Sequence, residues 1–249
     1  MTSPMKDPMK VPMTASQRLF RWSGVAVLSL LLTACASTSV PGAGSDPRDP
    51  YENYNRAMFE FNRKVDDNVL KPVATGYVNV VPSFVRSAVG NFFANIGDVW
   101  TAVNNYLQGK PKDGTSDVVR VVFNSTFGIA GLIDIATPMG LPKHEEDFGQ
   151  TLGVWGAKSG PYVVLPFFGS STMRDSFAKP IDLYADPLTA SNNVPVRAKN
   201  TGRVLRAVDD RAALLDTGSL MEGAALDPYQ FFRDAYLQRR ESRIRDGND

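Results

Sequence analysis

Residues 83–107 read SFVRSAVGNFFANIGDVWTAVNNYL, and the kind of helix they form decides the architecture of the chain. Phe84, Ala88, Phe92, Ile96, Val99, Val103 and Tyr106 recur at spacings of three and four, the period of an α-helix. Val85, Val89, Phe93 and Trp100 widen that face. So broad an apolar stripe belongs to a helix covered over much of its circumference. Gly109-Lys110-Pro111 ends it, because glycine accepts the left-handed conformation at a helix C-terminus.

Toward the C-terminus, a second helix is expected from Ser116 or Asp117 through Ile135, rich in Val, Ile and Phe. It has the length of a membrane span. Arg120, Asn124 and Asp134 argue against an isolated one, since a charge at mid-bilayer costs ~2.5–3.5 kcal/mol. A helix wrapped by protein, or half-sunk in one leaflet, fits better, with Gly128 and Gly131 allowing close packing. Residues 137–169 then set six glycines among Phe148, Trp155, Tyr162, Phe167 and Phe168. Either short segments fold back between the helices, or part of this surface faces lipid. Lys143-His144-Glu145-Glu146-Asp147 interrupts the region as a solvated hairpin tip. Residues 170–186 read as a helix start followed by loop, with Pro180 inside. Pro195 opens a helix to about Leu215 on which Val204, Val208 and Leu215 share a face. Asp227-Pro228 opens a last one bearing Tyr229, Phe232 and Tyr236, with Arg233 off the stripe, before a polar tail at 241–249.

Toward the N-terminus, Leu70 to Pro82 reads as a connection with a short helical piece. Asp49-Pro50 opens the helix before it, Asp as N-cap. Tyr51, Tyr54, Met58, Phe61 and Val65 form its stripe, which suits either a packed core or a lipid interface. Residues 35–48 are small, polar and Pro/Gly-rich after the cysteine that opens them, a lipidated flexible tether of about 20 Å. Before the tether lies a leader (1–34) with Lys6, Lys10, Arg18 and Arg21, then an apolar run from Trp22 to Ala34. That run is too short to span a bilayer, which takes ~20 residues. It has the pattern of a secretory signal. Leu32-Thr33-Ala34-Cys35 resembles the bacterial lipobox, in which the cysteine is acylated and becomes the first mature residue. Two or more acyl chains give stable anchoring. Cys35 is the only cysteine, so no intramolecular disulfide is available. Ala36 replaces the Asp that would retain many such proteins at the inner membrane.

Removing the leader leaves 215 residues with 23 basic against 25 acidic side chains. That balance excludes a nucleic-acid binder of the usual basic kind. One histidine and one acylated cysteine leave no zinc constellation, and no cofactor-binding fingerprint is present. A Ser170–His144–Asp175 triad has the residue types of a hydrolase and nothing else to support it.

From Asp49 onward the sequence resembles the MlaA (VacJ) family of outer-membrane lipoproteins. The blocks that carry the resemblance are DPYENYNRAMFEFN (49–62), LKPVA (70–74), VNNYLQGKP (103–111), GLIDIAT (131–137), EDFGQTLGVWG (146–156), GPYVVLPFFGSSTMRD (160–175) and LDPYQFFRDAYLQRR (226–240). The resemblance implies an all-α domain over 49–240, its helices in a ring-like arrangement around an amphipathic channel in the inner leaflet of the outer membrane. It implies association with a porin trimer and passage of misplaced phospholipid from the outer leaflet to a periplasmic carrier protein, which maintains lipid asymmetry. On that expectation Arg120, Asn124, Asp134 and Lys158 line the channel, and Lys143, His144, Glu145, Glu146, Asp147 and Phe148 form a gating hairpin. A structural lipoprotein that moves no lipid, and a membrane-anchored hydrolase, are the alternatives.

Overall fold

The computed structural model describes residues 46–215 and 226–246. Cys35, the leader and most of the tether lie outside the described residues. The first helix, α1 (Glu52–Val65), passes through a π-helical turn (Asp66–Leu70) into α2 (Lys71–Val80). The expected connection at 70–82 is therefore mostly helix. Pro72 falls in the first turn of α2, where a missing N–H is tolerated. The wider π turn carries Asp66, whose carboxylate receives Arg211 at 2.7 and 2.8 Å.

The long helix α3 (Ser83–Leu107) has the bounds its sequence implies. Gly109, at φ 76°, turns the chain into α4 (Pro111–Thr126), which packs antiparallel on it. Close approach is needed at Gly114, where an added Cβ would stand 3.1 Å from the Tyr106 ring and 3.2 Å from the Ala102 carbonyl. Helix α4 thus begins earlier than the sequence suggests, on Pro111, and ends nine residues sooner than Ile135. The glycines explain the early end. Ile129, Ala130 and Gly131 all take positive φ, and Gly131 sits where a Cβ would be 2.6 Å from the Asn95 amide. Gly128 and Gly131 serve a reversal of the chain rather than helix-to-helix packing.

After an extended segment come α5 (Phe148–Val154) and an antiparallel hairpin of β1 (Tyr162–Leu165) and β2 (Gly169–Thr172), pairing Tyr162 with Thr172 and Leu165 with Gly169. The hairpin is the one departure from helix among the described elements. It answers both readings of the glycine-rich region: Tyr162 and Val164 are buried, while Phe167 and Phe168 at its tip are exposed. Helix α6 (Met173–Ala185) runs straight through Pro180, correcting the expected loop. Its last turns are held from outside, since the Asp182 carboxylate accepts from Trp100 Nε1 at 2.9 Å and from Phe148 N at 2.8 Å. A single turn, α7 (Pro187–Ala190), leads to α8 (Val196–Ala213), which packs on α2 and α3. The last helix, α9 (Pro228–Ile244), is capped by Asp227 as expected and extends into the presumed tail. No described helix is long and apolar enough to cross a membrane.

Burial corrects the sequence reading most. On α3 the buried positions are Phe93, Asn95, Asp98, Thr101, Ala102, Asn104 and Asn105. Of the stripe expected to be covered, Phe84 is 74% exposed and Val99, Val103 and Tyr106 are exposed too, while Ala88, Phe92 and Ile96 are half-buried and Phe93 is buried. Helix α1 repeats the pattern, burying Glu52 and Asn55 while Tyr51 and Phe61 stand outside. On α9 the off-stripe Arg233 is buried. Val204 on α8 is exposed, and only Val208 of its expected face is buried. Among the described residues, buried polar and charged side chains outnumber buried apolar ones.

The conventional core is small: Tyr162, Val164 and Tyr229, with Met58, Phe59, Tyr236 and Leu237 against them. A polar junction holds it. Asp49 is not an N-cap. Fully buried, it accepts from Asn55 Nδ2 at 2.7 Å, from the Tyr229 hydroxyl, and from Arg233 Nη1 at 3.3 Å. Asn55 in turn donates to the Tyr162 carbonyl at 3.0 Å and accepts from Val164 N at 2.8 Å. One amide thus ties α1, β1 and the chain before α1. Replacing Asn55 with Ala leaves Asp49 and two strand groups without that partner, and should destabilise by about 2–4 kcal/mol. Replacing exposed Phe177 with another apolar side chain (F177L) should change stability by less than ~0.5 kcal/mol. Unfolding in detergent micelles measures both.

Candidate functional site

The α3–α4 interface is a polar seam built by helical spacing. Asn95, Asp98, Thr101, Ala102 and Asn105 recur along one side of α3, and Asp117, Arg120 and Asn124 along one side of α4. Antiparallel packing brings them into register: Asn95 Nδ2 donates to Ser125 Oγ at 2.9 Å and Asn105 Nδ2 to Asp117 Oδ2 at 2.7 Å. Between these pairs lies Arg120, 1% exposed. Its guanidinium reaches Asp98 at 3.4 Å and Asp134 at 3.4 Å, and donates to Thr137 Oγ1 at 3.1 Å and the Leu141 carbonyl at 2.7 Å. Asn124 donates to Asp134 Oδ1 at 3.1 Å and accepts from Ile135 N and Ala136 N.

Three of the four residues expected to line a channel therefore come together. Arg120 and Asn124 are enclosed and fully engaged, and only Asp134 keeps appreciable surface. Burial works against its charge, but the Thr137 hydroxyl and N–H, Asn124 and Arg120 outweigh it and hold its pKa down to about 2. Lys158 lies elsewhere, on the rim of a cavity beside α9.

The segment expected to be a solvated hairpin tip is instead extended and strapped down. Lys143 pairs with Asp98, so two cations share that buried carboxylate. His144 Nδ1 is 2.8 Å from Asp117 Oδ1. Burial pushes the Asp117 carboxyl up, with His144 and Asn105 opposing. Glu146 accepts from Gln108 Nε2 at 2.8 Å and pairs with Lys110 at 3.4 Å. Glu145 stays exposed, where it meets Arg243. Asp147 caps α5, its carboxylate accepting from Gln150 N at 2.9 Å. Phe148 is half-buried, in an edge contact with Trp155.

A second cluster, not anticipated from sequence, fastens α5 and α6 to α9. Arg240 donates from both Nη atoms to Asp147 at 2.6 Å and from Nη2 to Asp175 at 2.9 Å. Tyr236 Oη donates to Asp175 at 2.9 Å, and Arg174 Nε at 3.0 Å. Gly149 makes room: a Cβ there would stand 2.5 Å from both Arg240 Nη2 and Asp175 Oδ1. The available signal was a polar stripe at helical spacing opposite an apolar one, together with acids at 147 and 175 and an arginine at 240.

The hydrolase triad is not assembled. Ser170 Oγ pairs with the Tyr162 hydroxyl, His144 with Asp117, and Asp175 with Arg240. Among the described residues no cluster of His, Cys, Asp and Glu is placed to hold a metal ion.

Residues 47–243 match the family model described as MlaA lipoprotein. The Intermembrane phospholipid transport system lipoprotein MlaA of Shigella flexneri is 37% identical over 228 residues, 89% of this chain and 87% of that one. Its namesake in Escherichia coli (strain K12) is 36% identical over 227 residues, with the same coverage. A solved structure, described as "Structural basis for maintenance of bacterial outer membrane lipid asymmetry", superposes with a TM-score of 0.69 at 35% identity. It covers 79% of this chain and 98% of its own.

The clamp around Arg240 makes a prediction about pH. Burial would raise the Asp147 and Asp175 carboxyls, but Arg240 outweighs it and both lie below the ordinary range. Their contribution to stability is complete above the unfolded value of about 4 and is lost as pH falls through the lowered folded values. Arg240→Gln takes the cation from half-exposed Asp147 and leaves buried Asp175 with Arg174 alone. It should cost about 1.5–3 kcal/mol at pH 7 and less at pH 3, where protonation relieves the carboxylates. Paired unfolding curves at the two pH values test this.

Proposed function

Because the chain belongs to the MlaA lipoprotein family, we propose that it withdraws misplaced phospholipid from the outer leaflet of the outer membrane and passes it to a periplasmic carrier, so maintaining lipid asymmetry. The observation that carries this reading is the reversed burial. Phe84, Phe127, Phe167, Phe177 and Tyr184 point outward while Asp98, Arg120, Asn105 and Asp117 are enclosed. In water, each large apolar side chain left exposed forfeits about 1.5–3 kcal/mol of burial. Hydrocarbon around the helices removes that penalty. With no described helix able to cross, the domain sits in one leaflet, moored by acyl chains on Cys35 at the periplasmic face.

The helices enclose a polar passage in a ring-like arrangement, against a porin trimer. The step is passage rather than reaction: a headgroup follows polar groups while its chains stay near hydrocarbon. This lowers the cost of taking a charged group through an apolar layer. Arg120 and Asn124 brace the wall of that passage. Asp134 is the member of that cluster with surface to offer a headgroup. The segment 143–148 acts as the gate, latched by Lys143 on Asp98 and His144 on Asp117.

Reconstitution of the full lipoprotein with the carrier and labelled phospholipid tests the proposal. Transfer to the carrier supports it, and a purely structural lipoprotein moves none. Lys143→Ala removes one half-exposed ion pair from the latch, worth ~0.7–1 kcal/mol, and should raise the transfer rate about three- to fivefold. His144→Ala should leave transfer present, whereas its abolition in a folded protein would favour the hydrolase. Cys35→Ala should release the protein from the outer membrane on cell fractionation.

A further inference from the structure

Beside α9 lies a cavity of about 890 Å³, walled by the turn before α1, the 157–161 loop, the start of α6 and the C-terminal half of α9. We propose that it is a binding site for a phosphate ester, separate from the α3–α4 seam and joined to the segment 143–148 through the Arg240–Asp147 pair. Five cationic side chains line it, Arg48, Lys158, Arg174, Arg240 and Arg245, against the carboxylates of Asp234 and Glu241. Those two acids are engaged, Asp234 with Arg48 at 3.0 Å and Glu241 with Arg245. The acids that neutralise Arg240 and Arg174, Asp147 and Asp175, stand outside the lining.

What remains facing the cavity is positive. Lys158 pairs with no carboxylate among the described residues. Arg240, whose side chain is 9% exposed, keeps its Nε without a hydrogen-bond acceptor, whereas Arg174 Nη2 lies 3.0 Å from Asp175 Oδ1. A buried donor left unsatisfied costs ~1–3 kcal/mol, which an anion oxygen would recover. Helix α6 begins at the same wall and adds the partial positive charge of its N-terminus. Its first N–H groups are already engaged: Met173 N with the Pro161 carbonyl, Arg174 N with Ser159, and Asp175 N with Thr172 Oγ1. The charged side chains therefore do the recognising.

Size and lining choose the class of anion. A bare phosphate would leave most of the space empty, while about 300–1,000 Å³ is the usual range for small-molecule sites. Leu237 and Ile244 supply an apolar wall for the carbon part of an ester. Arginine and lysine together suit a phosphate, the one by its planar fork and the other as a point charge. The ester arises either as a lipid headgroup or as a soluble phosphate metabolite. The lipid source alone rests on the proposed function.

Calorimetric titration of the full lipoprotein in neutral maltoside micelles, which carry no phosphate, separates these. The probes are glycerophosphoglycerol (a headgroup diester without its tails), sn-glycerol 3-phosphate and inorganic phosphate. Saturable binding of an ester is expected, weakened at least about tenfold by Lys158→Glu and retained by Lys158→Arg. Lys64→Glu, the same charge change on exposed α1, should have no effect. Preference for the diester points to lipid, and preference for the monoester to a soluble metabolite. No ester binding, binding of inorganic phosphate alone, or equal affinity in wild type and K158E overturns the site. Because the measurement is at equilibrium and needs no transfer, it stands or falls apart from the transport reading.

Discussion

Everything in this fold answers to one constraint: a buried charge or amide must find its partner within the protein. Arg120 illustrates it. Four acceptors from three parts of the chain converge on one guanidinium, so α4 cannot move without displacing Asp98 on α3, Asp134 and Thr137 in the turn, and the Leu141 carbonyl. Aliphatic packing specifies shape loosely. A guanidinium among carboxylates specifies it tightly, because a partner misplaced by an ångström leaves a charge uncompensated. The architecture is therefore written in its polar residues, and the apolar ones take whatever positions the outside permits.

That inversion explains which parts of the fold were legible in the sequence. Helix α3 was readable to its end residues, since a 3.6-residue period shows whichever face is buried. Helix α9 was readable from Asp227-Pro228, because capping chemistry is local. Which face pointed inward was not readable. The rule that apolar stripes mark the interior assumes water outside, and for Phe84, Val99 and Tyr106 that assumption failed. Asn95, Asp98 and Asn105 held the correct signal, a polar stripe in register with Asp117, Arg120 and Asn124 on the next helix.

Boundaries failed for a different reason. The valine-rich run into Ile135 carries helical periodicity beyond Thr126, yet the chain turns because Gly131 must clear Asn95. Pro180 carries a local stop signal that tertiary bonds to Asp182 override. At the candidate site the structure brings Arg120, Asn124 and Asp134 together and leaves Lys158 apart, because helical spacing shows a shared face within α4 but not what the 157–161 loop packs beside. The segment at 143–147 looked solvated because five polar residues stand in a row. Each of their main partners lies more than 25 residues away, where no local reading reaches.

The junction at Asp49 has a consequence for how the chain is made. Its carboxylate meets the Tyr229 hydroxyl 180 residues later, so the first helix cannot settle until nearly the whole polypeptide has emerged. Contacts of such sequence separation form late, after a large loss of chain freedom. Until then Asn55 and Asp49 lack their distant partners, and the greasy outer surfaces have no hydrocarbon to enter. A partly made chain is thus at its most vulnerable to clumping just before completion, while its buried polar groups await the partners that the last helix brings.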